Sequence, residues 1–128
     1  MIDHIDHIVL TTHNLNQCID FYTRVLGMQL ESFGNNNERK ALKFGNQKIN
    51  IHEYGKEFEP KAHLPVPGSI DICFIASIPL EKVREKIESE NWEIIEGPIL
   101  RTGAIGKITS IYIRDPDLNL VEIATYNQ

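Results

Sequence analysis

The sequence predicts an α+β fold of two paired βαβββ modules, forming a curved, incompletely closed eight-stranded mixed sheet around a central cleft. Three observations carry this. A strand-helix-three-strand pattern in the first half recurs at similar length in the second. Between the copies lies GKEFEPKAHLPVPG, with three prolines, two glycines and no periodicity. Each copy, taken alone, leaves a half-buried sheet face to cover, and pairing the two covers it. The cleft so formed is a natural place for a ligand.

The elements follow in order. Ile5–Thr12 is a β-branched strand signal. Asn14 is placed to cap a helix in which Leu15, Cys18, Ile19, Tyr22, Val25 and Leu26 recur at helical spacing, and Gly27 stops it. Strands are expected at Met28–Phe33, Glu38–Phe44 and Lys48–Tyr54, broken by the turn sequences GNNN and GNQ. The whole chain, 1–128, reads as one domain: module 1 at about 1–54, a connector at about 55–68, and module 2 at about 69–128. In module 2, Ser69–Ala76 is a strand, and Ile78-Pro79 open a helix with Leu80, Val83 and Ile87 on one stripe. Trp92–Glu96, Lys107–Arg114 and Asn119–Tyr126 are the remaining strands.

Composition narrows the function. A chain of 128 residues can bury a core without disulfides or a structural metal. Its net charge is -5 and its basic residues are dispersed, which argues against a nucleic-acid partner. Nothing approaches a membrane-spanning apolar run, and the acidic start MIDHID is no signal peptide. Cys18 and Cys73 lack CxxC spacing and read as buried free thiols of a cytoplasmic protein.

Strand parity then sorts the polar residues. On the first strand Ile8 and Leu10 suit the helix side, which turns His7 into the cleft, while His4 has the opposite parity and belongs to the solvated chain end. On the last strand Val121 and Ile123 take the helix side, leaving Glu122 in the cleft inside the apolar run NLVEIA. A carboxylate there needs a partner or a metal. Superposing DHIVL on IDICF sets Asp71 opposite His7, and KINIHE on LVEIAT sets Asn50 opposite Glu122, with His52 a step further along. Each residue alone has an ordinary structural use; two repeats converging on one face point to imidazole and carboxylate donors for Mn, Fe, Ni or Zn.

The segments DHIVLTT, FYTRVLGM and RDPDLNLVEI, spanning both halves, resemble the vicinal oxygen chelate superfamily of glyoxalases, bleomycin-resistance proteins and dioxygenases. KINIHEYGKEFEPKAHLPVPGS and EGPILRTGAIGKITSIYIRDPDLN look most like its glyoxalase domain-containing protein 5 branch and that branch's bacterial virulence-protein relatives. The resemblance implies a divalent metal held by His7, Asp71 and Glu122, with Asn50 or His52 from the fourth strand, chelated by vicinal oxygens of the substrate. It also implies a homodimer, since members commonly dimerise and some exchange modules. The sequence departs from the family pattern at Asp71, where a His is usual, and at Asn50, where glyoxalase I has its second glutamate. Asn cannot abstract a proton, so proton transfer falls to Glu122 or His52. Leu118 replaces a glycine at a turn position where a side chain costs about 1 kcal/mol.

The expected function is a metal-dependent, glyoxalase-like lyase or isomerase acting on a small oxygen-chelating metabolite or thiol conjugate, with Asn50 and Arg101 of the RTGAIG loop as substrate contacts. The alternatives are a non-enzymatic, bleomycin-resistance-type binding protein, which Asn50 and Asp71 favour, and a fosfomycin-resistance-like thiol transferase or dioxygenase.

Overall fold

The computed structural model describes residues 1–128, which divide into two compact units, Met1–Ser69 and Ile70–Gln128. Each unit is a βαβββ module with one four-stranded mixed sheet.

In the first unit β1 (His7–Thr12) leads into helix α1 (Leu15–Asp20), which ends in a π-helical turn, Phe21–Val25. Asn14 caps α1 as expected, its side-chain oxygen accepting the Gln17 N–H at 3.0 Å. The Thr23 hydroxyl donates to the Ile19 carbonyl at 2.6 Å, and this competition with the backbone ladder accompanies the widened turn. Gly27 follows at a φ of 75°, the left-handed conformation that ends the helix. Strands β2 (Gln29–Phe33), β3 (Arg39–Phe44) and β4 (Gln47–Glu53) complete a sheet of order β1-β4-β3-β2, with β1 parallel to β4 and the other pairs antiparallel. Cys18, Phe21, Tyr22 and Val25 from the helical segment and Leu10, Leu42, Ile49 and Ile51 from the sheet are buried and form the core. Each of the larger ones contributes roughly 1.5–3 kcal/mol by leaving water.

The second unit repeats the plan with β5 (Asp71–Ile75), α2 (Leu80–Ser89), β6 (Glu96–Thr102), β7 (Lys107–Arg114) and β8 (Leu120–Tyr126), in the order β5-β8-β7-β6. Val83 and Ile87 of α2 are buried along with Ile111, Ile113, Val121 and Ile123.

Two expectations need correction. The sixth strand is not Trp92–Glu96 but Glu96–Thr102, so Arg101 lies in a strand and not in a loop. Gly97-Pro98 looks like a break in sequence. Here β6 is an edge strand, where proline's missing N–H costs no ladder bond, and the register shift between Glu96 and Ile99 absorbs the dipeptide as a bulge. Residues 92–95 only flank the sheet, through the Trp92 indole on the Arg114 carbonyl at 2.8 Å and the Ile95 N–H on Tyr112 at 2.9 Å. The second correction is Cys73, which is exposed; Cys18 is buried. No helix is long and apolar enough to cross a membrane.

Leu118 keeps the left-handed turn conformation, at a φ of 68°, with its side chain largely exposed. Leu118→Gly should remove a strain of about 1–2 kcal/mol and lose part of that to the freer unfolded chain. A net gain of about 0.5–1 kcal/mol in urea denaturation is expected. Equal or lower stability would show that the strain does not exceed what glycine loses in the freer unfolded chain.

Candidate functional site

The register fixes which side chains share a face. In the parallel β1–β4 pair, His7 stands beside Lys48, Val9 beside Asn50 and Thr11 beside His52. On β3, Ala41 stands opposite Asn50 and Lys43 opposite Lys48, and Arg39 has the same parity. His7, Asn50 and His52 therefore lie on one face of the first sheet, opposite the face that carries core residues Leu10 and Ile49.

His7 is half exposed, and its Nδ1 lies 2.7 Å from Asp6 Oδ2. That hydrogen bond, more than any other influence, holds the Asp6 carboxyl below its usual range. An ionised carboxylate only accepts, so His7 Nδ1 carries the hydrogen of this bond, and Nε2 is the ring atom left for another partner. His4 makes the equivalent contact with Asp3 at 2.5 Å on the exposed chain end.

Asn50 is only 6 % exposed, and its buried Oδ1 has no hydrogen-bond partner. An orphaned buried acceptor costs about 1–3 kcal/mol, so its retention calls for a reason outside the fold. His52 is 2 % exposed, with Nε2 3.4 Å from Arg39 Nη2. A guanidinium cannot accept, so Nε2 is the acceptor and Nδ1 holds the hydrogen. Burial, and then the charge of Arg39, push the His52 pKa below its usual value, which leaves the ring neutral. The Arg39 guanidinium in turn sits 5.1 Å from the Phe33 ring centre and 4.7 Å from that of Phe58, and Phe58 meets the His52 ring edge-on at 5.8 Å. Sequence reasoning missed Arg39, Phe33 and Phe58. Hairpin parity could have found the first two, since Phe33 and Arg39 are cross-strand partners; Phe58 lies in the aperiodic connector.

The second unit mirrors this. Cys73 and Tyr112 flank Glu122 across the sheet, as Val9 and Ala41 flank Asn50, so Glu122 and Asn50 hold repeat-equivalent positions. Asp71 begins β5 as His7 begins β1, and is exposed. Glu122 accepts a 2.6 Å hydrogen bond from Ser110 Oγ on one oxygen, Oε2. Although Cys73 is exposed as a residue, partial desolvation of its thiol on the sheet face, followed by the Glu122 charge, pushes it up to about 11, so it is protonated at neutral pH. Arg101 donates through Nε to the Tyr112 hydroxyl at 3.0 Å, and Nη2 lies 3.5 Å from Glu96. The structure thus brings His7, Asn50 and His52 to one sheet face and Asp71 and Glu122 to another. Nowhere do three or more His, Cys, Asp or Glu side chains gather in a way that could hold a metal ion.

Repeated βαβββ units whose open sheet faces carry imidazole, amide and carboxylate groups define the vicinal-oxygen-chelate class of fold. The chain belongs to the Glyoxalase/Bleomycin resistance protein/Dioxygenase superfamily, whose profile matches residues 4–123. It is 51% identical over 122 residues to the glyoxalase domain-containing protein RDO1 of Mycosarcoma maydis, covering 95% of this chain and 68% of that protein. It is 54% identical over 126 residues to the virulence protein STM3117 of Salmonella typhimurium, covering 98% of this chain and 86% of the relative. The crystal structure of STM3117 superposes with a TM-score of 0.95, covering 99% of both chains at 53% identity. Lactoylglutathione lyase from Agrobacterium tumefaciens shares the fold, with a TM-score of 0.73 at 20% identity over 98% of this chain and 95% of that one.

Proposed function

We propose that the protein is a metal-dependent, glyoxalase-like lyase or isomerase acting on a small oxygen-chelating metabolite or thiol conjugate, working as a cytoplasmic homodimer. One observation carries this reading: His7 and Glu122 are each oriented by a second side chain, Asp6 at 2.7 Å and Ser110 at 2.6 Å. Metal ligands are held in this way, with the outer partner fixing tautomer and direction.

The donor types suit a divalent cation, although no three of them gather within the chain as it stands. His7 offers Nε2, Glu122 has a second carboxylate oxygen not used by Ser110, and the Asp71 carboxylate is exposed. His7, Asp71 and Glu122 would hold the metal, with Asn50 Oδ1 or His52 as the fourth group; Mn, Ni, Fe and Zn all suit such a set. A bound cation would act as a Lewis acid toward substrate oxygens. The protein groups that can take a proton are Glu122 and His52. The basic Nε2 of His52 faces Arg39, so it serves as a base only when a ligand draws that guanidinium away; Glu122 has for neighbours the Ser110 hydroxyl and the Cys73 thiol. Arg101, braced by Tyr112 and Glu96, would contact substrate from β6.

The second reading is a bleomycin-resistance-type binding protein, which Asn50 favours because an amide replaces a potential base at the position matching Glu122.

The test is metal content after purification without chelator, followed by thermal shifts with Mn, Ni, Fe and Zn. Stabilisation is expected in the wild type and should vanish in His7→Ala and Glu122→Gln. Ser110→Ala should weaken metal affinity roughly 10- to 100-fold while leaving the ligands in place. A wild type with neither metal nor shift would leave the binding-protein reading.

A further inference from the structure

The chain is acidic overall, at -5, yet this face of the first sheet carries Arg39, Lys43 and Lys48 against one strand carboxylate, Glu31. Lys43 and Lys48 stand directly opposite each other, an arrangement that is unfavourable between like charges. Lys48 lies 3.9 Å from the Phe33 ring centre. Arg39 touches no carboxylate: its contacts are two aromatic rings and a neutral imidazole. The carboxylates whose charge reaches His52 are engaged elsewhere, Glu57 by the Gly55 N–H at 2.9 Å and Glu59 by Lys61.

The Arg39 guanidinium lies near two aromatic rings, neither of which can accept all of its five N–H donors. Only one of those donors is used, in the long 3.4 Å contact to His52. A planar fork presented edge-on matches the paired oxygens of a carboxylate or phosphate. On the next strand of the same face lies the Asn50 Oδ1 that no protein group satisfies, on a side chain 6 % exposed. An anion alone would leave that acceptor orphaned. A molecule carrying both an oxyanion and a hydrogen donor answers both features.

We propose that the first unit holds an oxyanion subsite, in which Arg39, clamped by Phe33 and Phe58, receives a carboxylate or phosphate and Asn50 Oδ1 receives a hydrogen from a hydroxyl or N–H of the same molecule. The substrate or ligand is then a small hydroxylated organic anion. The inference rests on the reading above only in taking this face as the ligand face, and it requires no metal.

The experiment is an NMR titration of the ¹⁵N-labelled full chain in excess EDTA, following the Arg39 Nε–H and Asn50 side-chain amide signals. The probes are glycerate and glycerol 3-phosphate, with acetate, sulfate and glycerol as controls. Glycerate or glycerol 3-phosphate should move both signals, and the better of the two identifies the anion. Acetate and sulfate, which carry no hydrogen donor at neutral pH, should move Arg39 alone and bind at least about tenfold more weakly, and glycerol should move neither. Arg39→Lys keeps the charge without the fork and should weaken the hydroxylated anion about tenfold or more; Arg39→Met should abolish its binding. Asn50→Ala should bring glycerate down to the level of acetate. The proposal is overturned if neither hydroxylated anion shifts Arg39, if glycerol binds as well as glycerate, or if binding survives in a folded Arg39→Met. Because chelator is present throughout, such a failure leaves the metal reading standing, and a failed metal assay leaves this subsite standing.

Discussion

Asp115→Ala is expected to lower stability by about 3–5 kcal/mol, although it removes only a turn carboxylate. Asp115 is 2 % exposed. One oxygen accepts the N–H groups of Asp117 and Asn119, both at 2.9 Å, and the other accepts the Asn119 side-chain amide at 2.8 Å. Asn119, itself fully buried, uses its own Oδ1 to accept the Ile70 N–H at 2.8 Å. The Leu120 N–H returns to the Ile70 carbonyl at 3.0 Å, and from there Asp71 pairs with Leu120 and Cys73 with Glu122. The chain of bonds thus runs from one buried carboxylate to the register of β5 on β8. Truncation strands three N–H donors that had charge-assisted partners, and each costs its desolvation. Asp115→Asn keeps the shape and one acceptor oxygen, so its loss should be intermediate. Denaturant midpoints of the two variants decide the matter: a loss within 1 kcal/mol for the alanine would mean that water replaces the carboxylate and the network does not hold the register. On this account the DPDLN segment is not itself a reactive centre. It is the clasp that keeps Asp71 and Glu122 in phase on adjacent strands.

That division of labour explains what was legible in the sequence. Helix spacing and strand alternation are local, so Asn14, Gly27 and the apolar stripes gave α1, and parity put His7 in the cleft, to which the repeat added Asn50 and His52; the register sets all three on one face. The repeat made Glu122 the counterpart of Asn50, and the β1–β4 and β5–β8 registers show the same correspondence. What sequence could not yield depends on partners chosen in space. Whether Gly97-Pro98 ends a strand or bulges within one is decided by its place on the sheet edge, which no local pattern states. The bracing of Glu122 by Ser110 crosses from β8 to β7, and the clamp on Arg39 takes Phe58 from a connector with no periodicity. The sequence offers His52 as a fourth ligand or proton acceptor; only its contact with Arg39 shows where its lone pair points.

Gly97→Ala should be far more damaging than a single added methyl group suggests. Its φ is 106°, outside the range that side chains favour, and a Cβ there would lie 2.4 Å from the Ser110 carbonyl oxygen and 2.9 Å from the Ile111 Cα. Both are backbone atoms of β7, so no rotamer change relieves the collision; the strands must separate. Conformational strain of about 1–2 kcal/mol plus overpacking of about 1–3 kcal/mol gives an expected loss of about 2–5 kcal/mol. Gly45→Ala is the matched control, since Gly45 also has a positive φ, 52°, but has nothing within 4 Å of the added carbon. Its loss should be the conformational part alone, about 1 kcal/mol. The difference between the two in denaturant titration isolates the collision. The same displacement moves Ser110, whose hydroxyl holds Glu122, so Gly97→Ala should also weaken metal-dependent stabilisation where Gly45→Ala leaves it unchanged. Equal losses at the two glycines would mean that β7 yields freely beside the bulge. Ser110 would then not be fixed by its strand, and the argument that it orients Glu122 would lose its structural basis.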